Sequence, residues 1–161
     1  MDKEKLKQAS ITSLRMLAAS PKSRSQLSKK LADKGFETDV IQYTLQSLES
    51  QGILNDRAYA LNLVNRLRMG KPCGKRKLAF EMKRKGVPSK LQEEILEGFT
   101  EGEDSALAQE LAQAKWSAEK NAPALKRKKR VYDFLIRRGF DFQTVRDVVE
   151  KISSGIDDEN R

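Results

Sequence analysis

The residues that invite a chemical reading are lysines and arginines, and the chemistry they suggest is anion binding. They fall in blocks: Lys75, Arg76 and Lys77; Lys83, Arg84 and Lys85; Lys126, Arg127, Lys128, Lys129 and Arg130; and Arg137 with Arg138. From Arg66 to Lys90 there are ten basic residues and one acid, Glu81; from Ala122 to Arg138 there are seven and one, Asp133. Between them, Leu91 to Glu119 holds eight acids and a single base, Lys115. With a net charge of +9, such blocks suit a polyanion: a nucleic-acid backbone, an acidic protein groove or an anionic membrane. A solvated helix face carrying lysine for solubility has the same composition, so both readings stand at this point. Bond-making chemistry is poorly supplied. The chain has no histidine, hence no usual general base, no commonest metal ligand and no Ser-His or Cys-His pair. Its one cysteine, Cys73, forms no internal disulfide and no Cys-rich metal site, which fits a reducing compartment. Lys71 and Lys75 beside it would lower the thiol pKa, yet no base partner is evident. No catalytic, cofactor-binding or metal-binding residue is assigned, and neither enzyme activity nor a cofactor is expected.

The elements that must carry these cations repeat. Leu78 and Met82, four residues apart on one helix face, precede Lys85-Gly86. Leu27 and Leu31 precede Lys34-Gly35-Phe36, and Val131 and Leu135 precede Arg137-Arg138-Gly139-Phe140. The three glycines are spaced by 51 and 53 residues. Each suits the left-handed position just past a helix end, and a period of this length indicates a tandem array.

Helix signals fill in each repeat. Residues 3–19 carry Leu6, Ile11, Leu14 and Leu17, and Ser20-Pro21 ends them. Ser23-x-x-Gln26 opens the helix of Leu27 and Leu31 as a capping box. Thr38 is read as the cap of the helix bearing Val40 or Ile41, Leu45 and Leu48, which Gly52 ends. Asn55-Asp56 caps a helix with Ala58, Leu61, Val64 and Leu63 or Leu67, and Met69–Gly74 reads as a loop. Ser89-x-x-Gln92 and Thr100-x-x-Glu103 are further capping boxes. They open helices with Leu91, Ile95 and Phe99, and with Leu107, Leu111 and Ala114. Leu125, Val131 and Leu135 mark the eighth helix; Val145, Val148 or Val149 and Ile152 mark the ninth, with one extra residue of spacing after Gly139. The expected organisation is all-α, with repeats over 1–54, 55–99 and 100–153 and a polar tail, 154–161, that frays. The basic blocks then fall on the middle helix of the second and third repeats.

With a hydrophobic fraction of 38% and 34% charged residues, three small cores in a row fit better than one large one. An elongated body follows, with a radius of gyration above the roughly 15 Å of a compact chain of this length. Phe36, Phe99, Phe134 and Phe140 read as core residues, and no aromatic–basic alternation of the single-strand-binding kind is visible. No apolar run approaches the ~20 residues of a membrane span, and the N-terminus lacks a signal-peptide core, so the expected location is cytoplasmic.

Four stretches together resemble the RecX family, regulators of the RecA recombinase: Leu17–Phe36 with SRSQLSKKLADKGF, Gly52–Ala60 with GILNDRAYA, Gly74–Val87 with GKRKLAFEMKRKGV, and the RRGF of Arg137–Phe140. The match covers almost the whole chain in order. It departs at Asn55-Asp56, where the family often has two aspartates, and Asn caps as well as Asp. The resemblance implies tandem three-helix repeats, like degenerate helix-turn-helix units, in an elongated, curved array. It also implies binding in the groove of the RecA–DNA filament and modulation, mainly inhibition, of its ATPase, strand-exchange and SOS co-protease activities. The expected partners are that filament and, more weakly and with salt dependence, single- or double-stranded DNA. The expected state is a monomer with no membrane partner. Lys75, Arg76, Lys77, Lys83, Arg84, Lys85, Lys126, Arg127, Lys128, Lys129, Arg130, Arg137 and Arg138 are the expected contacts, from charge placement. A stand-alone DNA-binding protein using the same helices is the alternative.

Overall fold

The computed structural model describes residues 1–159, and all regular secondary structure among the described residues is helical. The order is α1 (Lys3–Ala19), α2 (Arg24–Asp33), α3 (Thr38–Ser50), α4 (Asp56–Gly70), α5 (Lys75–Arg84), α6 (Ser89–Glu97), α7 (Glu101–Ala118), α8 (Ala124–Arg137) and α9 (Phe142–Glu159). Among these residues no helix is long and apolar enough to cross a membrane.

Local chemistry sets most helix ends. Ser23 and Gln26 form a reciprocal capping box on α2, and Thr100 and Glu103 form another on α7. Asn55 accepts from the Ala58 amide at 3.0 Å. Two caps differ from the sequence reading. Glu37, without a side-chain bond, holds the cap position of α3, and Thr38 is already helical. Ser89 likewise lies inside α6, one place too far along to cap it, and the Gln92 side chain donates through Nε2 to the Val87 carbonyl at 2.7 Å instead. Helix α4 runs on through Gly70, shortening the loop expected from Met69. Helix α9 continues through Glu159 where fraying was expected, and residues 160–161 lie outside the described ones. Gly35, Gly86 and Gly139 have positive φ, and the next helix begins three residues after each. The extra residue after Gly139 therefore belongs to the buried register of α9, first met at Val145, and not to its start.

The chain forms two compact units: Met1–Asn65 with Met82–Gln92, and Arg66–Glu81 with the chain from Glu93 onward. The division falls inside α4, α5 and α6. In the first unit α1, α2 and α3 pack pairwise around Leu27, Leu31, Ile41, Leu45, Leu48 and Leu54, with Met16, Leu17 and Phe36 against them. Helix α1 turns its small residues inward: Ala9 and Ser13 are buried while Ile11 and Leu14 are exposed. The Ser13 hydroxyl donates to the Ala9 carbonyl at 2.7 Å, which satisfies it in the interior. On α4 the buried face is Tyr59, Ala60, Leu63 and Val64, and Leu61 points out.

In the second unit α7, α8 and α9 pack pairwise. Their core holds Ala108, Ala112, Trp116, Val131, Leu135, Phe140, Val145, Val148, Val149 and Ile152. A fully buried side chain such as Leu135 or Phe140 contributes about 1.5–3 kcal/mol. Leu125, read as part of this face, is instead 81% exposed. It sits in the first turn of α8, six residues before the buried Val131 and so on a different face of the helix.

Candidate nucleic-acid and protein interface

In the second unit the start of α5 is fastened to the end of α8. The Gly74 amide donates to the Arg138 carbonyl at 2.8 Å, and the Arg76 amide to the Gly139 carbonyl at 3.0 Å. The Lys75 amide donates to Asp104 Oδ2 at 3.0 Å, while Asp104 Oδ1 accepts from Arg68 Nη2 at 2.6 Å. First-turn amides that a helix leaves orphaned are thus matched, and the buried Asp104 carboxylate is itself paired. Arg68 also lies over the Phe99 ring, 4.5 Å from its centroid. Close approach depends on two residues without side chains. A Cβ at Gly74 would lie 2.5 Å from the Gly139 oxygen, and one at Gly139 would lie 2.5 Å from the Lys77 nitrogen. Neither Asp104 nor Arg68 stood out in the sequence, because their partners are 29 or more residues away.

This docking brings part of the expected contact set together. Arg76 and Lys77 from α5 and Arg137 from α8 line one hollow of about 500 Å³, with Phe80 and with Phe142 of α9. Lys75 lines a different hollow beside Glu101, Asp104 and Asp141. On α8, Lys126, Lys128 and Lys129 are exposed and share an almost wholly apolar hollow of about 480 Å³ with Leu125, Tyr132 and Val149.

Other members of the set are engaged within the unit. Arg127 donates to the Trp116 carbonyl at 2.7 Å and lies 4.0 Å over the Trp116 ring. Arg130 pairs with Glu119, which Lys115 also contacts. The hydrogen bond from Arg130, then that from Lys115, holds the Glu119 carboxyl below its ordinary pKa. Arg138 donates to the Pro72 carbonyl at 2.9 Å and stacks over Phe134. Arg76 stacks over Phe142, 4.9 Å from the ring centroid. Arg127 and Arg138 are therefore struts between elements. Cys73 also departs from the sequence reading: it is buried, and burial raises its pKa despite nearby Arg68 and Lys77.

In the first unit, Lys83, Arg84 and Lys85 close α5 before Gly86. Lys83 and Arg84 are exposed and Lys85 half-buried. The Ser23 hydroxyl donates to the Lys85 carbonyl at 2.6 Å, tying the cap of α2 to this turn.

Three family models match in order: "RecX, first three-helix domain" over residues 12–48, the second over 55–96 and the third over 102–149. The chain is similar to the regulatory protein RecX of Chlorobaculum tepidum, 33% identical over 152 residues, covering 94% of this chain and 92% of that one. It is 34% identical to that of Prosthecochloris aestuarii over 81% of this chain and 83% of the relative. Its fold resembles the crystal structure of RecX from Lactobacillus salivarius, with a TM-score of 0.81 at 17% identity, over 92% of this chain and 96% of the other.

Proposed function

The chain belongs to the RecX family of regulatory proteins, and from that premise we propose that it regulates RecA by binding along the groove of the RecA–DNA filament. It acts as a monomer in the cytoplasm and lowers the filament's ATPase, strand-exchange and SOS co-protease activities. The observation that carries this reading is the recurrence, on the corresponding helix of two repeats, of exposed cations that have no intramolecular partner among the described residues. These are Lys83 on α5 and Lys126, Lys128, Lys129 and Arg137 on α8. An unpaired lysine keeps its charge available to a phosphate or a carboxylate, whereas the Arg127 and Arg138 guanidinium groups are already committed. Cations on successive repeats suit a partner that itself repeats, and engaging two at once adds affinity through effective concentration.

Affinity for a preassembled RecA filament should exceed that for bare single-stranded DNA by about tenfold or more at moderate salt, roughly 1.4 kcal/mol. Binding to the bare strand should weaken steeply between two salt concentrations, because phosphate neutralisation releases counterions. Equal affinity for both ligands at both salts would favour a stand-alone DNA-binding module.

A further inference from the structure

Phe80 and Phe142 are 62% and 52% exposed, two large rings on helices that each bury other apolar side chains. They come from α5 and α9, 62 positions apart in the sequence, and line the same hollow of about 500 Å³. Arg76, Lys77 and Arg137 line it with them, and the Arg76 guanidinium lies over the Phe142 ring at 4.9 Å from its centroid. Ile136 forms part of the wall, and Glu81, the one acid among the described lining residues, is already engaged within the protein. The sequence shows no aromatic–basic alternation because this arrangement is assembled across helices, by the docking of α5 on the end of α8.

We propose that this hollow is a single-strand nucleic-acid subsite, in which the Phe80 and Phe142 rings stack on unpaired bases while Lys77 and Arg137 meet the flanking phosphates. Ring faces and guanidinium planes both accept a flat base, and such stacking tolerates any base sequence. The hollow's size falls within the range of small-ligand sites, enough for a nucleotide that leaves its neighbours. Paired bases in a duplex present edges, not faces, so the rings gain nothing from duplex DNA. An acidic peptide would satisfy the cations but offers the rings no matching flat surface.

Fluorescence anisotropy with a labelled oligo-thymidylate, an abasic strand of the same length and a duplex tests the assignment. Phe80→Ala and Phe142→Ala should each weaken oligo-thymidylate binding about fivefold or more, with little change on the abasic strand or the duplex. Phe80→Leu should behave like Phe80→Ala, since leucine keeps apolar area and loses the ring. Unchanged binding in both alanine variants would overturn the assignment, as would equal losses on the abasic strand. Full affinity in Phe80→Leu would also overturn it and point to an apolar protein contact. Bare strands are read without any filament, so this subsite can fail while the filament reading stands, and the reverse.

Discussion

Gly35 and Gly139 occupy equivalent places in two repeats, and the structure predicts very different costs for adding one methyl group. Both have positive φ, +88° and +84°, so alanine at either incurs the left-handed penalty of about 1–2 kcal/mol. At Gly35 nothing lies within 4 Å of the new Cβ, and the cost stops there. At Gly139 the Cβ would sit 2.4 Å from Lys77 Cβ and 2.5 Å from the Lys77 nitrogen. A backbone atom cannot rotate away, so α5 must shift. Overpacking of this kind adds about 1–3 kcal/mol. The shift also endangers the Gly74-to-Arg138 and Arg76-to-Gly139 hydrogen bonds, at about 1 kcal/mol each. Gly139→Ala should therefore cost about 4–7 kcal/mol, combining these terms. Urea melts followed by far-UV circular dichroism would report the whole chain. Trp116, the single tryptophan, lies in the second unit's core, so its fluorescence reports the unit that contains Gly139. If Gly139→Ala shifts the Trp116 transition by no more than Gly35→Ala shifts the ellipticity, the docking of α5 on α8 is wrong.

Reversing Lys126, Lys128 and Lys129 to Glu should leave the melt within about 0.5 kcal/mol per site and weaken filament binding at least tenfold in anisotropy titrations. By contrast Arg127→Ala, which removes the bond to Trp116 and the ring contact, should destabilise the second unit by about 1–3 kcal/mol in the Trp116-monitored melt. Asp141 accepts from the Thr144 amide and hydroxyl at 2.9 Å each, and chiefly that amide bond holds its pKa below the ordinary value. A depressed folded pKa contributes stability above the unfolded value and loses it as pH falls through the folded one. Asp141→Ala should thus cost about 1 kcal/mol at pH 6 and less at pH 3, read by urea melts at both. Cys73, buried with a raised pKa, should react with a thiol reagent at neutral pH only as the chain opens, at least about a hundredfold faster in urea.

The sequence revealed what local chemistry decides. The period of Gly35, Gly86 and Gly139 came through because a left-handed turn after a helix is a demand made by adjacent residues. The Ser23 and Thr100 capping boxes came through for the same reason. Misplaced caps at Thr38 and Ser89 show the limit: one residue of register decides whether a hydroxyl reaches the orphan amides. Burial was harder to read where helices expose a leucine and bury something small, as α1 does with Ala9 and Ser13. Charge density located the basic helices, but density says nothing of pairing. Arg127 and Arg138 have the same composition around them as Lys128 and Arg137, yet they bond to carbonyls 11 and 66 residues away. The cap that Asp104 supplies to α5 and the shared hollow of Phe80 and Phe142 arise from the same kind of distant approach.

The central claim, regulation of RecA through its filament, is tested most directly by the ATPase rate of a preassembled RecA–single-strand filament titrated with this protein. The account predicts a saturable fall in rate with wild-type protein, and a titration with the Lys126, Lys128 and Lys129 reversal displaced to at least tenfold higher concentration. An ATPase rate that stays constant to saturating protein, with filament and RecA concentration held fixed, would contradict it.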